Sequence, residues 1–303
     1  MPSVDSKPLP IVSYVMPTFN RVATFEQALL SVVQERQDNY QNLEIVVVDG
    51  ASKDGTVDLI KKHAEVGHID FWLSERDRSA AEAFNKGVKA AKGEIIRYCA
   101  ADDTLSQGHT NQMVRRLLAQ PELAVLGARA SYFHVHPDGR REPQPIYDRL
   151  ESGWLTLDEV TTWVTAGVFG PIETWFFRRS VFDRVGYLDT AYRICPDLDF
   201  AFHVVKAGLG FYIAPERIVN KCYFEGGGNL VGEDENKLRE WREVLLRHTG
   251  RVDESLFKPA TPAGSLPARL FWDAWLTGIK RIKRAAPGPY ESARRLLRGR
   301  RVS

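Results

Sequence analysis

The sequence predicts an α/β fold, a mostly parallel sheet flanked by helices, with a helical extension at its C-terminus. Three observations predict it. Between residues 11 and 103, four apolar runs alternate with three amphipathic helical patterns, the rhythm of a doubly wound sheet. One of those runs, Glu44-Ile45-Val46-Val47-Val48, is β-branched and continuous, as in a strand covered on both faces. The chain of 303 residues is 44% hydrophobic and 26% charged, an ordinary globular balance with enough length for one large α/β domain or two smaller ones.

Taken in order, residues 1–10 form a polar, proline-punctuated lead-in. Ile11–Met16 is a strand that Pro17 should stop. Thr24-Phe25-Glu26-Gln27 has capping-box spacing and opens a helix with Phe25, Ala28, Leu29, Val32 and Val33 on one side. The strand at 44–48 ends in Asp49-Gly50, and a helix starts near Thr56. Phe71–Leu73 is a short strand. Ser79-Ala80-Ala81-Glu82 is a second capping box, whose helix should bury Ala80, Ala81, Phe84, Val88 and Ala91 and end by Gly93. The run Ile95–Cys99 then leads to Asp102-Asp103.

Beyond residue 105 the rhythm changes. A helix over roughly 108–118 precedes strands at 124–128 and 131–135. Residues 140–170 are irregular. A strand at 173–177, a short helix at 179–185 and a helix from Pro196 to Gly208 follow. Phe211–Ala214 reads as a last strand, 225–229 as a glycine loop, 235–248 as a charged helix and 259–267 as a linker.

Charge is uneven. Net charge is +2, yet residues 266–303 carry ten Lys/Arg against two Asp/Glu, so a mildly acidic body bears a basic tail. Over 270–284, Phe271, Trp272, Trp275, Leu276, Ile279 and Ile282 share one helical face, while Arg269, Lys280, Arg281 and Arg284 lie off it. That pattern suits a membrane-surface helix or a helix packed on the body, and basic residues 294–301 add attraction to anionic lipid. Nucleic acid is not an expected partner, because the positive charge is terminal. No unbroken apolar run reaches the length of a membrane span, and residues 1–10 lack the core of a signal peptide. The expectation is a cytoplasmic protein, peripheral at the inner face of the membrane if the tail binds lipid. Cys99, Cys195 and Cys222 are too scattered for a zinc cluster or disulfide framework. His134 and His136 share a strand face but have no third ligand nearby in sequence.

The chemistry gathers at Asp102-Asp103. Side chains at the carboxyl end of a strand in an open α/β sheet face the crevice where ligands sit. Two adjacent carboxylates there repel unless a cation intervenes, and a divalent ion bridging to a diphosphate would supply it. The alternative is a cap for a helix starting near Leu105. No G-x-G-x-x-G follows the first strand and no G-x-x-x-x-G-K-[ST] occurs, which argues against a dinucleotide dehydrogenase or P-loop NTPase.

Five segments then occur in order: Val15-Met16-Pro17-Thr18-Phe19-Asn20-Arg21, Val48–Thr56, Ala83–Gly87 through Gly93, Ala101-Asp102-Asp103, and Pro196-Asp197-Leu198-Asp199-Phe200. On these the chain resembles the family 2 inverting glycosyltransferases with the GT-A fold, of the subgroup that builds polysaccharide or glycolipid sugars. The resemblance implies a nucleotide-sugar-binding half at 11–103, an acceptor half at 104–230 and a basic helical extension at 231–303. It implies a UDP, GDP or dTDP sugar as donor, a carbohydrate or glycolipid as acceptor, and Mg²⁺ or Mn²⁺ as cofactor. Pro17, Thr18, Asn20, Arg21, Asp49, Asn85 and Asp102 are the implied nucleotide-sugar contacts, with Asp49 accepting from the base. Asp103 is the implied metal ligand. Asp197 is the implied general base, with Asp199 its rival; a carboxylate accepting the acceptor's proton speeds such a step by about 10²–10⁴. Glu173, Trp175, Arg178 and Asp199 are candidates for reading the acceptor, Trp175 being equally placed for a core role. One departure from the family is Ser79, where relatives often keep a glycine. A sugar nucleotidyltransferase and a catalytically idle relative are the competing readings. The first should show a glycine-rich basic loop after strand one, and Pro17–Arg21 does not.

Overall fold

A computed structural model describes residues 9–144, 152–165, 171–224, 235–250 and 252. The expected glycine loop, the linker and the basic tail all fall outside them. Strand β1 (Val12–Thr18) lies between β2 (Leu43–Asp49) and β4 (Ile95–Tyr98), with β3 (Phe71–Ser74) beyond β2, all parallel. Helices α1 (Phe25–Asp38), α2 (Thr56–Glu65) and α3 (Ala80–Ala90) make the crossovers. Every residue of β1 and β2 is buried, which explains their unbroken apolar runs. Pro17 does not end β1: it sits in register with Val48, and the strand continues to Thr18.

After β4 the sheet becomes mixed. The two-residue β5 (Thr104–Leu105) replaces the helix start considered there, and α4 (Thr110–Ala119) follows. The strands expected at 124–128 and 131–135 are one strand, β6 (Leu123–Val135), edged by β7 (Arg141–Pro143). β8 (Gly153–Trp154) and α5 (Leu157–Thr165) come next. The strand expected at 173–177 begins instead with a 3-10 turn, Ile172–Thr174, before β9 (Phe176–Arg178). β9 inserts antiparallel between β4 and β6. Helices α6 (Ser180–Val185) and α7 (Pro196–Lys206) precede β10 (Gly210–Phe224), a strand of 15 residues where four were expected. β10 runs parallel to β6 with register shifts around Arg217, so Pro215-Glu216 forms an irregularity rather than an end.

Helix α8 (Glu235–Thr249) closes the described region. The compact unit that contains the sheet runs Met1–Leu256, so α8 lies within it and not in a separate extension from 231. The second unit, Phe257–Ser303, lies outside the described residues.

Two glycines allow helix and strand to meet. A Cβ on Gly87 of α3 would stand 2.2 Å from Val15 Cγ1 of β1, and one on Gly93 would stand 2.7 Å from the Ser13 nitrogen. Around α7, Phe177, Phe182 and Phe200 form mutual ring contacts at 5.5–5.7 Å, which seat that helix on the sheet.

Candidate active site

The carboxyl ends of β1, β2 and β4 meet at one edge, and the loops leaving them are tied to one another. Asn20, at φ 51°, donates its backbone N–H to Ser52 Oγ (2.8 Å) and accepts Lys53 N–H on Oδ1 (2.9 Å). Asp54 accepts Val22 N–H on one oxygen, and the Thr56 N–H and hydroxyl on the other. Asn20 therefore joins two loops through its own polar atoms. Thr24 does not close its capping box: its hydroxyl donates to Ala101 O at 2.9 Å, fastening α1 to the carboxylate loop. Ser79 does cap α3, accepting Glu82 N–H.

Asp49 is wholly buried. One oxygen accepts the Ser52 hydroxyl; the other accepts Ser52 N–H (2.9 Å) and the Ser74 hydroxyl (2.7 Å). It holds the loop that carries Ser52 to the end of β3. The sequence gives Asp77 only as the first residue of the segment in which Ser79 departs from the family, with no role of its own. Its Oδ2 lies 3.0 Å from where a Gly50 Cβ would be, and the ring of Phe19, 55% exposed, comes within 3.1 Å of the same point. Burial raises the proton affinity of Asp77, with Lys86 opposing. Asp77 and Phe19 thus close on Gly50, next to the buried Asp49. The signal that could have found Asp77 is its place just after β3, in the loop leading to the Ser79 cap. At the base of the same edge, Pro17 is buried, and the Thr18 hydroxyl oxygen is buried without a hydrogen-bond partner.

The two central carboxylates are unlike. Asp103 is 2% exposed; its Oδ2 accepts from Lys221 Nζ (2.9 Å) and its Oδ1 from Cys222 N–H (3.0 Å). Burial raises its proton affinity and the Lys221 ammonium opposes that. Each of its oxygens thus accepts one hydrogen bond from the protein. Asp102 is partly exposed and pairs with Arg21 Nε at 3.6 Å. A single open carboxylate beside a diphosphate is a fitting oxygen donor for Mg²⁺ or Mn²⁺, which often bind one or two carboxylates plus substrate phosphates.

Lys221 Nζ also donates to Glu173 Oε1 at 2.9 Å. Glu173 rides on the 3-10 turn, whose backbone oxygen accepts Arg97 Nη2 (3.4 Å). Arg97 itself is fully buried, donating to the Tyr14 hydroxyl at 2.6 Å and lying 4.8 Å from the Tyr14 and Phe176 ring centres. Burial and the Arg97 charge together push His109, 2.6 Å from the guanidinium, well below the usual imidazole range. It is therefore neutral and accepts that hydrogen bond.

Asp197 lies in the first turn of α7, after Pro196. Its Oδ1 accepts Leu198 N–H (2.9 Å) and the residue is partly exposed. Burial first, and the Glu173 carboxylate second, push its pKa up to about 7. Glu240 of α8, unforeseen from sequence, accepts the N–H groups of Arg193, Ile194 and Cys195 at 2.8–3.2 Å and so holds the entry to α7.

Four remaining candidates make their contacts within the protein. Asp199 is 1% exposed and accepts from Arg247 (3.3 Å) and pairs with His248 Nε2 (2.7 Å), both on α8. His203 lies 3.5 Å away. Ligand atoms of Asp199, His203 and His248 lie within 4.8 Å of one another, but Arg247 shares the Asp199 oxygen that His248 contacts, and the group clamps α8 to α7. Trp175 is fully buried against Phe211 and Phe177, with ring centres 4.8 and 5.8 Å away. Arg178 donates to the carbonyls of Leu123 and Leu117 and caps the end of α4. Asn85 exchanges two hydrogen bonds with the backbone of Leu188 (2.8 and 3.1 Å), bracing the loop before α7. His134 of β6 and His136 just beyond it form no metal cluster among the described residues; His136 meets Glu142 at 3.0 Å.

The sheet order, the strand-end carboxylates and the acid at the start of α7 define a GT-A glycosyltransferase fold. A mannosyltransferase from Pyrobaculum calidifontis, PcManGT, solved in complex with GDP-Man and Mn²⁺, superimposes with a TM-score of 0.59 at 19% identity over 93% of this chain and 86% of its own. The S. aureus protein TarS, residues 1–349, in complex with UDP-GlcNAc, gives 0.57 at 17% identity over 82% and 69%. Residues 13–186 match the glycosyl transferase family 2 description, more than half of the chain, and the chain belongs to that family. Among curated relatives, the poly-β-1,6-N-acetyl-D-glucosamine synthase of Staphylococcus aureus is 25% identical over 81% of this chain and 58% of its own length. The glycosyltransferase GlyA of Streptococcus pneumoniae is 22% identical over 48% of this chain and 21% of its own. The chain thus spans well under two thirds of these relatives.

Proposed function

We propose that this glycosyltransferase moves a sugar from a nucleoside-diphosphate donor to an acceptor hydroxyl with inversion, and that Asp197 is the general base. The observation that carries the reading is Asp197 itself: a partly exposed carboxylate at the start of α7 whose proton affinity is raised to about 7. A base poised near neutral pH accepts the attacking proton most effectively. Asp199, the rival, is buried and fully engaged.

On the donor side, Asp77 accepts the N–H edge of the base and Phe19 packs on its ring. Arg21 and Asp102 face the diphosphate. Mg²⁺ or Mn²⁺ would be held by Asp102, where it neutralises the charge that builds on the leaving nucleoside diphosphate. Asp103, held by Lys221 and the Cys222 amide, fixes the loop that carries Asp102. Two structural neighbours were solved with GDP-Man and with UDP-GlcNAc, so UDP, GDP and dTDP sugars all stay in view as donors. A carbohydrate or glycolipid acceptor in polysaccharide assembly fits the kinship with a polysaccharide synthase. No helix among the described residues is long and apolar enough to cross a membrane. The basic aromatic segment 269–301 is the part proposed to touch an anionic membrane surface.

The test is calorimetric titration of the full chain with UDP, GDP and dTDP, each with and without Mn²⁺. Metal-dependent binding of one nucleotide is expected. A folded protein that binds none of them would favour the idle-relative reading.

A further inference from the structure

Helix α7 carries the proposed base, yet its own residues do little to fix its start. The cap residue Cys195 makes no side-chain cap hydrogen bond, and Pro196, which opens the helix, has no N–H. Asp197 commits Oδ1 to the neighbouring Leu198 N–H. The missing acceptor comes from α8. Glu240, 6% exposed, sets one oxygen, Oε2, against three successive backbone N–H groups: Arg193 (3.1 Å), Ile194 (2.8 Å) and Cys195 (3.2 Å). Its other oxygen shares the Arg193 N–H, also at 3.1 Å. Successive backbone N–H groups form a concavity that binds an anion, and here the chain provides the anion itself.

We infer that Glu240 is a positioning residue for Asp197: it fixes the segment 193–195 on which the first turn of α7 is built, and through that turn the place of the carboxylate. This rests on Asp197 being the base. The link is a continuous chain of contacts. Glu240 holds the N–H of Cys195, and the Cys195 carbonyl accepts Asp199 N–H (3.3 Å), the first bond of the helix. Pro196 and Asp197 lie between those two bonds, and the proline ring fixes the backbone angle φ just before Asp197. The far end of α8 is fastened separately. Arg247 and His248 engage Asp199, Arg247 also donates to Asp189, and the His248 carbonyl accepts from Lys206. α8 is thus anchored without Glu240, whose contacts all fall on the approach to Asp197. Displacing a reacting group by about 1 Å can cost about 10²-fold in rate, so a loosened approach should act on the chemical step.

The test separates positioning from fastening. Glu240→Ala should lower kcat by about ten- to a hundredfold, with nucleotide Kd in calorimetry and acceptor KM unchanged. Glu240→Gln keeps an oxygen at the place of Oε2 and should restore most of kcat. Glu240→Asp keeps the charge but draws it back by one methylene, and should fall between Ala and Gln. If the Ala variant does not fold, the order of Gln above Asp carries the test. Arg247→Gln, at the far end of α8, should lower Tm with a smaller loss of kcat than Glu240→Ala. A folded Glu240→Ala with the parent kcat would overturn the inference. So would an Asp variant faster than the Gln variant, since charge and not reach would then decide. Losses of kcat in Glu240→Ala and Arg247→Gln that simply follow Tm would overturn it too, being the mark of a merely structural residue. Full turnover in Asp197→Asn would instead remove the base assignment beneath it, a distinct failure.

Discussion

The two sides of this site are built by different means. On the donor side, between β1 and α3, the polar ties are short in sequence or join loops at adjoining strand ends: Asp54 to Thr56, Asp49 to Ser52, Ser79 to Glu82. On the base side, the ties span most of the fold: Lys221 to Asp103, Glu240 to Cys195, Arg178 to Leu117, Asn85 to Leu188. The donor side is thus a local scaffold. The base side exists only once β9 and β10 have joined the sheet and α8 has docked. Changes on the donor side should act on nucleotide binding, and changes on the base side on the chemical step.

Five substitutions sharpen or break that contrast. The largest effect expected is Asp197→Asn, which should lower kcat by about 10²–10⁴ while leaving the nucleotide Kd in calorimetry unchanged. Asp102→Asn should remove the Mn²⁺ dependence of nucleotide binding, while Asp103→Asn should act chiefly on stability. If the two behave in the reverse way, Asp103 is the ion ligand after all. Asp77→Asn should weaken nucleotide binding by about tenfold, the worth of a hydrogen bond to a charged group, with little change in Tm. Smallest in its effect on activity is Gly87→Ala, which should cost about 1–3 kcal/mol of stability, read in denaturant unfolding, because its methyl meets Val15.

pH gives a further check. The folded-state pKa of Asp197, about 7, lies above its unfolded value, so the folded chain binds more protons between them. Stability on this account falls as pH rises from about 4 to 7, whereas activity rises over the upper part of that window as the base is freed. Asp197→Asn should flatten the first trend.

The donor half was legible in the sequence because its signals are local. Period, caps and β-branched runs placed β1 to β4 and α1 to α3 within a few residues. Even there Thr24 broke its rule, since its hydroxyl found Ala101 O instead of its own helix. Ala80, expected to be buried, is exposed, and Ala83 takes a core place. In the second half, Pro215-Glu216 looked like a strand end, and only pairing with β6 carries β10 past it. The role of each acid was least legible. Asp102 and Asp103 are adjacent and chemically identical, and the difference between them is Lys221, 118 positions from Asp103. Asp197 and Asp199 differ through α8, whose Arg247 and His248 engage only the second. Burial and partners set by tertiary contact decide which carboxylate is free, and no spacing rule contains them.

The central claim is that one carboxylate, Asp197, deprotonates an acceptor that attacks opposite the leaving group. The most direct measurement is the anomeric configuration of the product by ¹H NMR during turnover, run beside Asp197→Asn. The account predicts a product of inverted configuration and transfer by the variant slowed by about 10²–10⁴. A product of retained configuration, or transfer by the variant at the parent rate, would contradict it.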